Sequence, residues 1–324
     1  MRTLASALSL HKPASRLLGA AAAILIVSGV IHVVVLLAFG LPWAGAVSLR
    51  KPITFGLSMG LLLWTVGWVI DQLPPKPRSE QVLGVTLAWS GAIEVALITA
   101  QSWRGVPSHF NYATVDGIVV FVLMGIAVAV LSVGLLVTTW WTFRRPPAQP
   151  TVRLAVRAGM LVVLTGLGIG QWIIELGNDF FERVGAVPDK VLAGEAGVPT
   201  FPHAVAFHGI QLFILAAILT GILGLTAQDG QRVLRQTVGG YSLLLLWSVV
   251  QTASGRAPSD VLWPGTVLAV LGAGLLAAGA ARLFVRRRRS GMSVRCVPII
   301  RPVRYTTGAS EPGRKTGPAV PSVL

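Results

Sequence analysis

Three ionisable side chains, His32, Glu94 and His208, stand inside long apolar runs of this sequence. A charge at the centre of a membrane span costs roughly 2.5–3.5 kcal/mol on insertion scales, so each needs a partner, a proton or a task. One carboxyl and two imidazoles can relay protons, or hold a zinc-like metal with a position left open for water. The imidazoles alone can bind haem iron from two helices. They can also simply hydrogen-bond and fix helix packing. At 1.5 Å of rise per residue, each lies about 10–14 Å below one end of its run.

Further polar residues gather at that end. The stretch WRGVPSHFNYATVD at 103–116 lies between two apolar runs and brings Arg104, His109 and Asp116. Gln101 follows Glu94 by seven residues, on the same helical face. Gln171, Glu175, Asn178 and Asp179 form one stripe, and PHAVAFHGIQ supplies His203, His208 and Gln211. Ser28, Gln251 and Ser254 lie at matching depth. The expected ligand-binding set is therefore His32, Glu94, Gln101, Arg104, His109, Asp116, Glu175, His208 and Gln211, with His32, Glu94 and His208 as the metal candidates.

Several of these residues have plainer readings. Thr114 is placed to cap a helix, with Asp116 favourable in its first turn, and Gly105 and Pro107 suit a turn. His203 and His208 are five apart, which turns them about 140° away from each other, whereas ligand pairs favour spacings of three or four. His203 reads as an interfacial side chain. Ser108 beside His109 is no evidence of a catalytic triad. No H-E-x-x-H and no phosphate-binding glycine loop is present.

The elements that must carry these residues are membrane helices. The 324 residues are 53% hydrophobic and 12% charged, against about 25% charge in soluble domains. Eight continuous apolar runs reach spanning length: 17–40, 53–72, 81–101, 116–141, 154–176, 203–226, 237–253 and 261–284. The seventh is the shortest. Continuous runs mean helices, since barrel strands alternate. The expected fold is an all-α helical bundle at 17–285, with an amino-terminal segment at 1–16 and a basic, disordered tail at 286–324. Ala44-Gly45-Ala46 resembles a cleavage site, but the run before it is too long for a signal peptide, so the first span is read as retained.

The net charge of +15 belongs to topology and not to nucleic acid, because the bases flank apolar runs. With the amino terminus inside, 21 of the 27 Lys and Arg residues fall on the inner side and six on the outer. Both termini are thus expected in the cytoplasm, with Arg286–Arg289 as a stop-transfer anchor. The polar cluster then opens outward. Eight of the twelve acids lean the same way, which suggests partners for Arg50, Lys51, Arg104 and Arg256, or a place that wants charge. Lone Cys296 excludes an intrachain disulfide. Gly56-x-x-x-Gly60 and Gly166-x-x-x-Gly170, with Gly272, Gly274 and Gly279, read as close-packing faces for helices of this chain or of a partner.

RKPITFGLS at 50–58, EVALITAQSWRGVPSHFN at 94–111 and HAVAFHGIQ at 203–211 resemble an uncharacterised group of bacterial multi-pass membrane proteins over roughly residues 40–215. The resemblance implies a bacterial inner-membrane location and a common role for the outer polar positions; it carries no reaction. Three classes of function fit: binding or transport of a small solute or ion, a haem- or metal-dependent membrane enzyme, and a purely structural network.

Overall fold

The computed structural model describes residues 3–261 and 263–289. Among them the regular structure is all helical, with no strand: α1 Leu4–Leu8, α2 Pro13–Ala38, α3 Arg50–Gln72, α4 Pro77–Trp103, α5 Val115–Arg144, α6 Pro150–Val184, α7 Thr200–Ile222, α8 Ala227–Ala253 and α9 Trp263–Arg289. The eight helices α2–α9 are long and apolar enough to cross a membrane. They match the eight expected spans, and the boundaries differ where capping and loop chemistry outrun hydropathy. Proline starts α2, α4 and α6 at the first turn, where its missing N–H costs nothing. Helix α6 runs to Val184 and stops at Gly185 in a left-handed C-cap, φ 71°, so Asn178, Asp179 and Glu182 are helical. The seventh span gains ten residues because Thr226 caps it, accepting from the Asp229 N–H at 3.1 Å. Arg286–Arg289 continue α9. The tail beyond, with Cys296, lies outside the described residues.

Successive helices alternate in direction, so the bundle has a terminus side and a loop side. The loop side carries the connections 39–49, 104–114, 185–199 and 254–261. Packing divides the chain into two four-helix halves. Helices α2–α5 pack mainly on one another, as do α6–α9; the halves meet along α5 and α6 and more lightly between α3 and α7.

Small residues set the close approaches. A methyl at Gly56 or Gly60 of α3 would press on the α2 backbone, within 2.9 Å of the Leu25 oxygen and 2.8 Å of the Ala22 oxygen. Gly166 and Gly170 of α6 face Phe207 and His203 of α7, and Gly272 lies against Gly240 of α8. These faces therefore serve helices of the same chain. Gly274 meets nothing within 4 Å.

The terminus side of the first half is pinned by an ionic network. Lys12 Nζ donates to the Ile70 and Leu73 carbonyls at 2.7 and 2.8 Å and to Glu80 Oε1 at 3.1 Å. Arg145 donates to the same Glu80 oxygen at 3.1 Å and stacks on Trp141 at 4.0 Å. Asp71 caps α2 from another helix, accepting from the backbone N–H groups of His11 and Lys12 and from the Ser15 hydroxyl. Removing one partner from such a buried pair typically costs about 3–5 kcal/mol, so this network ties α2–α5 together at one end.

Candidate functional site

The loop side offers two arrangements, one with its polar groups paired and one with groups left unpaired. In the first, polar groups already satisfy each other. His32 Nδ1 lies 2.7 Å from the Ser28 carbonyl oxygen, and its Nε2 accepts from Trp103 Nε1 at 2.9 Å. The ring is 5% exposed and has neither nitrogen free. In this arrangement His32 cross-links α2 to the end of α4, and both of its nitrogens are engaged by protein partners. Arg104 donates to Gln101 Oε1 at 2.8 Å and pairs with Asp116. Both members of that pair are about half exposed, where an ion pair is worth roughly 0–1 kcal/mol. Arg256 pairs likewise with Asp260. Glu175 is exposed and accepts from Gln171 at 3.3 Å. Thr114 caps α5 as its type predicts, accepting from the Gly117 N–H.

The metal triad is not assembled: among the described residues no group of three His, Cys, Asp or Glu side chains is placed to hold an ion. Its members point to different surroundings. His32 is buried between α2 and α4, whereas His208 is exposed. Glu94 shares the α4 face of Leu87, which packs against Gly134 of α5. His203 is a packing residue, its Nδ1 lying 2.9 Å from the Gly166 carbonyl oxygen.

The second arrangement lies between the halves, where α3 and α7 touch. Lys51, Thr54, Ser58 and Thr65 are spaced three, four and seven residues apart, which keeps them on one stripe of α3. The Gln211 amide reaches Thr65 Oγ1 at 3.3 Å, so that stripe faces α7. With its nitrogen turned to its own helix, the same amide is 3.0 Å from both the Phe207 and His208 carbonyls. His208 lies one turn toward the loop side on that face of α7 and stays exposed. Polar side chains thus run along both helices from the loop side down to the Thr65–Gln211 bridge.

Lys51 dominates the mouth. It is half-buried, and among the described residues its Nζ makes no hydrogen bond or ion pair. The charge acting on it is Arg50, another cation, and it acts in turn on His109. Both bases stand in the first turn of α3, where the helix dipole disfavours cations. The N-cap Leu49 supplies no side-chain acceptor, and the neighbouring Ser48 is 7% exposed with its hydroxyl unpartnered. Donors and positive charge therefore collect here without an anion.

The 104–114 loop closes over this mouth. Phe110 adopts a left-handed φ of 57°, which a bulky side chain seldom takes. Its ring fills the place that a side chain at Gly177 of α6 would occupy. Tyr112 donates to Asn178 of α6 at 2.8 Å and packs edge-on to Phe181. His109 is wedged among Phe55, Phe110 and Phe121 at 5.9–6.2 Å, with Nδ1 2.9 Å from the Ser108 hydroxyl. Burial pushes its pKa down to about 3, and Lys51 pushes the same way; the ring is neutral at physiological pH.

Beneath the loop, two buried polar atoms on one face of α4 lack partners: Gln101 Nε2 and, seven residues deeper, Glu94 Oε2. Such a group costs roughly 1–3 kcal/mol unless water, a proton or a ligand meets it. Sequence reasoning counted Lys51 among the outer bases expected to find acid partners and did not single out Ser48. The signal was the RKP start of α3, two cations against the helix dipole with no acid nearby in sequence.

Comparison with protein-family models, with curated proteins and with solved structures finds no match for this chain.

Proposed function

We propose that this polytopic membrane protein binds a small anionic solute in the space between its two halves, and that binding is the first step of its transport. The single observation that carries the reading is Lys51, a half-buried ammonium beside the cation Arg50 and with no counter-ion among the described residues. An anion would supply the missing charge and meet Ser48, Arg50 and the backbone N–H groups of Arg50 and Lys51 at the start of α3, a donor set suited to carboxylate or phosphate. His208 and Gln211 line the path on α7. Arg104, Gln101 and Asp116 hold the rim, and Glu94 is the intramembrane group able to take up a proton in step with the solute. In the orientation favoured by the 21-to-six distribution of bases, both termini are cytoplasmic and the mouth opens outward, across a bacterial inner membrane.

The test is isothermal calorimetry of the detergent-purified protein with acetate, succinate, phosphate and glycerol phosphate. At least one should bind, and its affinity should fall as ionic strength rises. Absence of heat from all four, or affinity indifferent to salt, would remove the reading.

A further inference from the structure

A second site lies on the opposite side, away from the cleft. An apolar groove of about 680 Å³ runs between α4 and α5 and opens on the outer surface of the bundle. Its mouth is polar, formed by Arg78 and Ser79 in the first turn of α4. From there it follows α4 to Thr86 and α5 from Trp141 back to Ala129. Those are eight and twelve residues, or about 12 and 18 Å of helix. Half of a bilayer's hydrocarbon core is about 15 Å. The groove is thus one leaflet deep.

Its walls fit a chain and its mouth fits a headgroup. Val82 and Val133 are 68% and 60% exposed, so the walls look out on the bilayer. The floor is shallow because Gly134 lets Leu87 approach; a methyl there would come within 2.6 Å of the leucine side chain. Arg78 is exposed and has no hydrogen bond or ion pair among the described residues. Behind Trp141, which lines the groove, stands the Arg145 guanidinium. Its side chain is 10% exposed, and its Nε and one terminal nitrogen are buried without partners. Glu80, the acid that pairs with it among the described residues, is shared with Lys12. The mouth therefore carries net positive charge.

We propose that this groove retains one anionic phospholipid, its phosphate held by Arg78 and Ser79 and one acyl chain lying along α4 and α5. Bulk lipid solvates any bundle; here the charge at one end and the leaflet-deep slot select a headgroup and a chain together.

The experiment uses the full chain, delipidated in a neutral detergent and titrated with phosphatidylglycerol, phosphatidylcholine or inorganic phosphate, and read by native mass spectrometry and thermal unfolding. Wild type should keep one phosphatidylglycerol per chain and unfold at a higher temperature with it. Phosphatidylcholine should give much weaker retention and phosphate no shift. Arg78→Gln should lower phosphatidylglycerol affinity roughly fivefold, the worth of one cation near a charged surface. Val133→Trp, on an exposed wall, should block chain entry while leaving unliganded stability unchanged. Equal retention of the two lipids, an equal shift with free phosphate, or unchanged retention in both variants would overturn the proposal.

Discussion

At the scale of single residues, the informative contrast is between two buried acids. Glu80 is 2% exposed and accepts from Lys12, Arg145 and the Lys76 N–H. Glu94 is 5% exposed and makes no hydrogen bond or ion pair among the described residues. Their neutral isosteres should therefore behave in opposite ways. Glu80→Gln strips the charge from a site holding two cations and should cost about 3–5 kcal/mol. Glu94→Gln removes an unpaired buried carboxyl and should leave stability unchanged or raised. Thermal unfolding in detergent compares the two; equal losses would make Glu94 a structural residue. His109 gives a pH prediction. Its folded pKa is depressed to about 3 from the ordinary 6.5. The neutral ring thus contributes stability that is fully present above pH 6.5 and is lost progressively as pH falls toward 3. Between pH 7 and 5 the unfolding midpoint should drop more in wild type than in His109→Gln. Parallel slopes would show that His109 does not titrate with unfolding.

At the scale of elements, the glycine faces decide how closely helices pack. At Gly56 a methyl would meet three backbone atoms at 2.9–3.1 Å, and backbone has little room to yield. Gly125 of α5 meets nothing within 4 Å. Gly56→Ala should destabilise by roughly 1–3 kcal/mol, whereas Gly125→Ala should be neutral or gain up to about 1 kcal/mol from helix propensity. Comparing unfolding midpoints checks both; a harmless Gly56→Ala would mean that α2 and α3 are packed more loosely than described. The spans themselves were legible from sequence, because a bilayer demands some twenty apolar residues and the hydropathy reports them directly. Their ends were less so. Thr226 capping α8 and Gly185 stopping α6 depend on one residue's hydrogen bond or φ, which hydropathy does not register.

The site was legible in part, and its gaps have physical reasons. That polar residues collect on one side follows from counting them. Whether a buried imidazole is already occupied depends on a partner remote in sequence: Trp103 lies 71 residues from His32. The face of α7 that carries His208 became clear only through the Gln211–Thr65 bond, which spans 146 residues. The Lys12–Glu80–Arg145 network was hidden among bases that served to assign orientation.

At the scale of the whole molecule, the two four-helix halves give the protein one pinned end and one open end. The terminus side of the first half is locked by charges that find partners. The loop side holds a cation without one, roofed by a loop in which Phe110 is strained and anchored to the second half. Strain and unpaired charge cost stability, and proteins retain them where a ligand or a motion uses them.

The central claim is that Lys51 awaits an anion, and one comparison tests it most directly: unfolding midpoints of wild type and Lys51→Met, with and without succinate, phosphate and glycerol phosphate. The account predicts that Lys51→Met matches or exceeds wild type in the absence of anions, within about 0.5 kcal/mol if it falls below. It also predicts that at least one anion stabilises wild type and not the variant. A variant destabilised by several kcal/mol without any anion present, or one that responds to anions as wild type does, would contradict it.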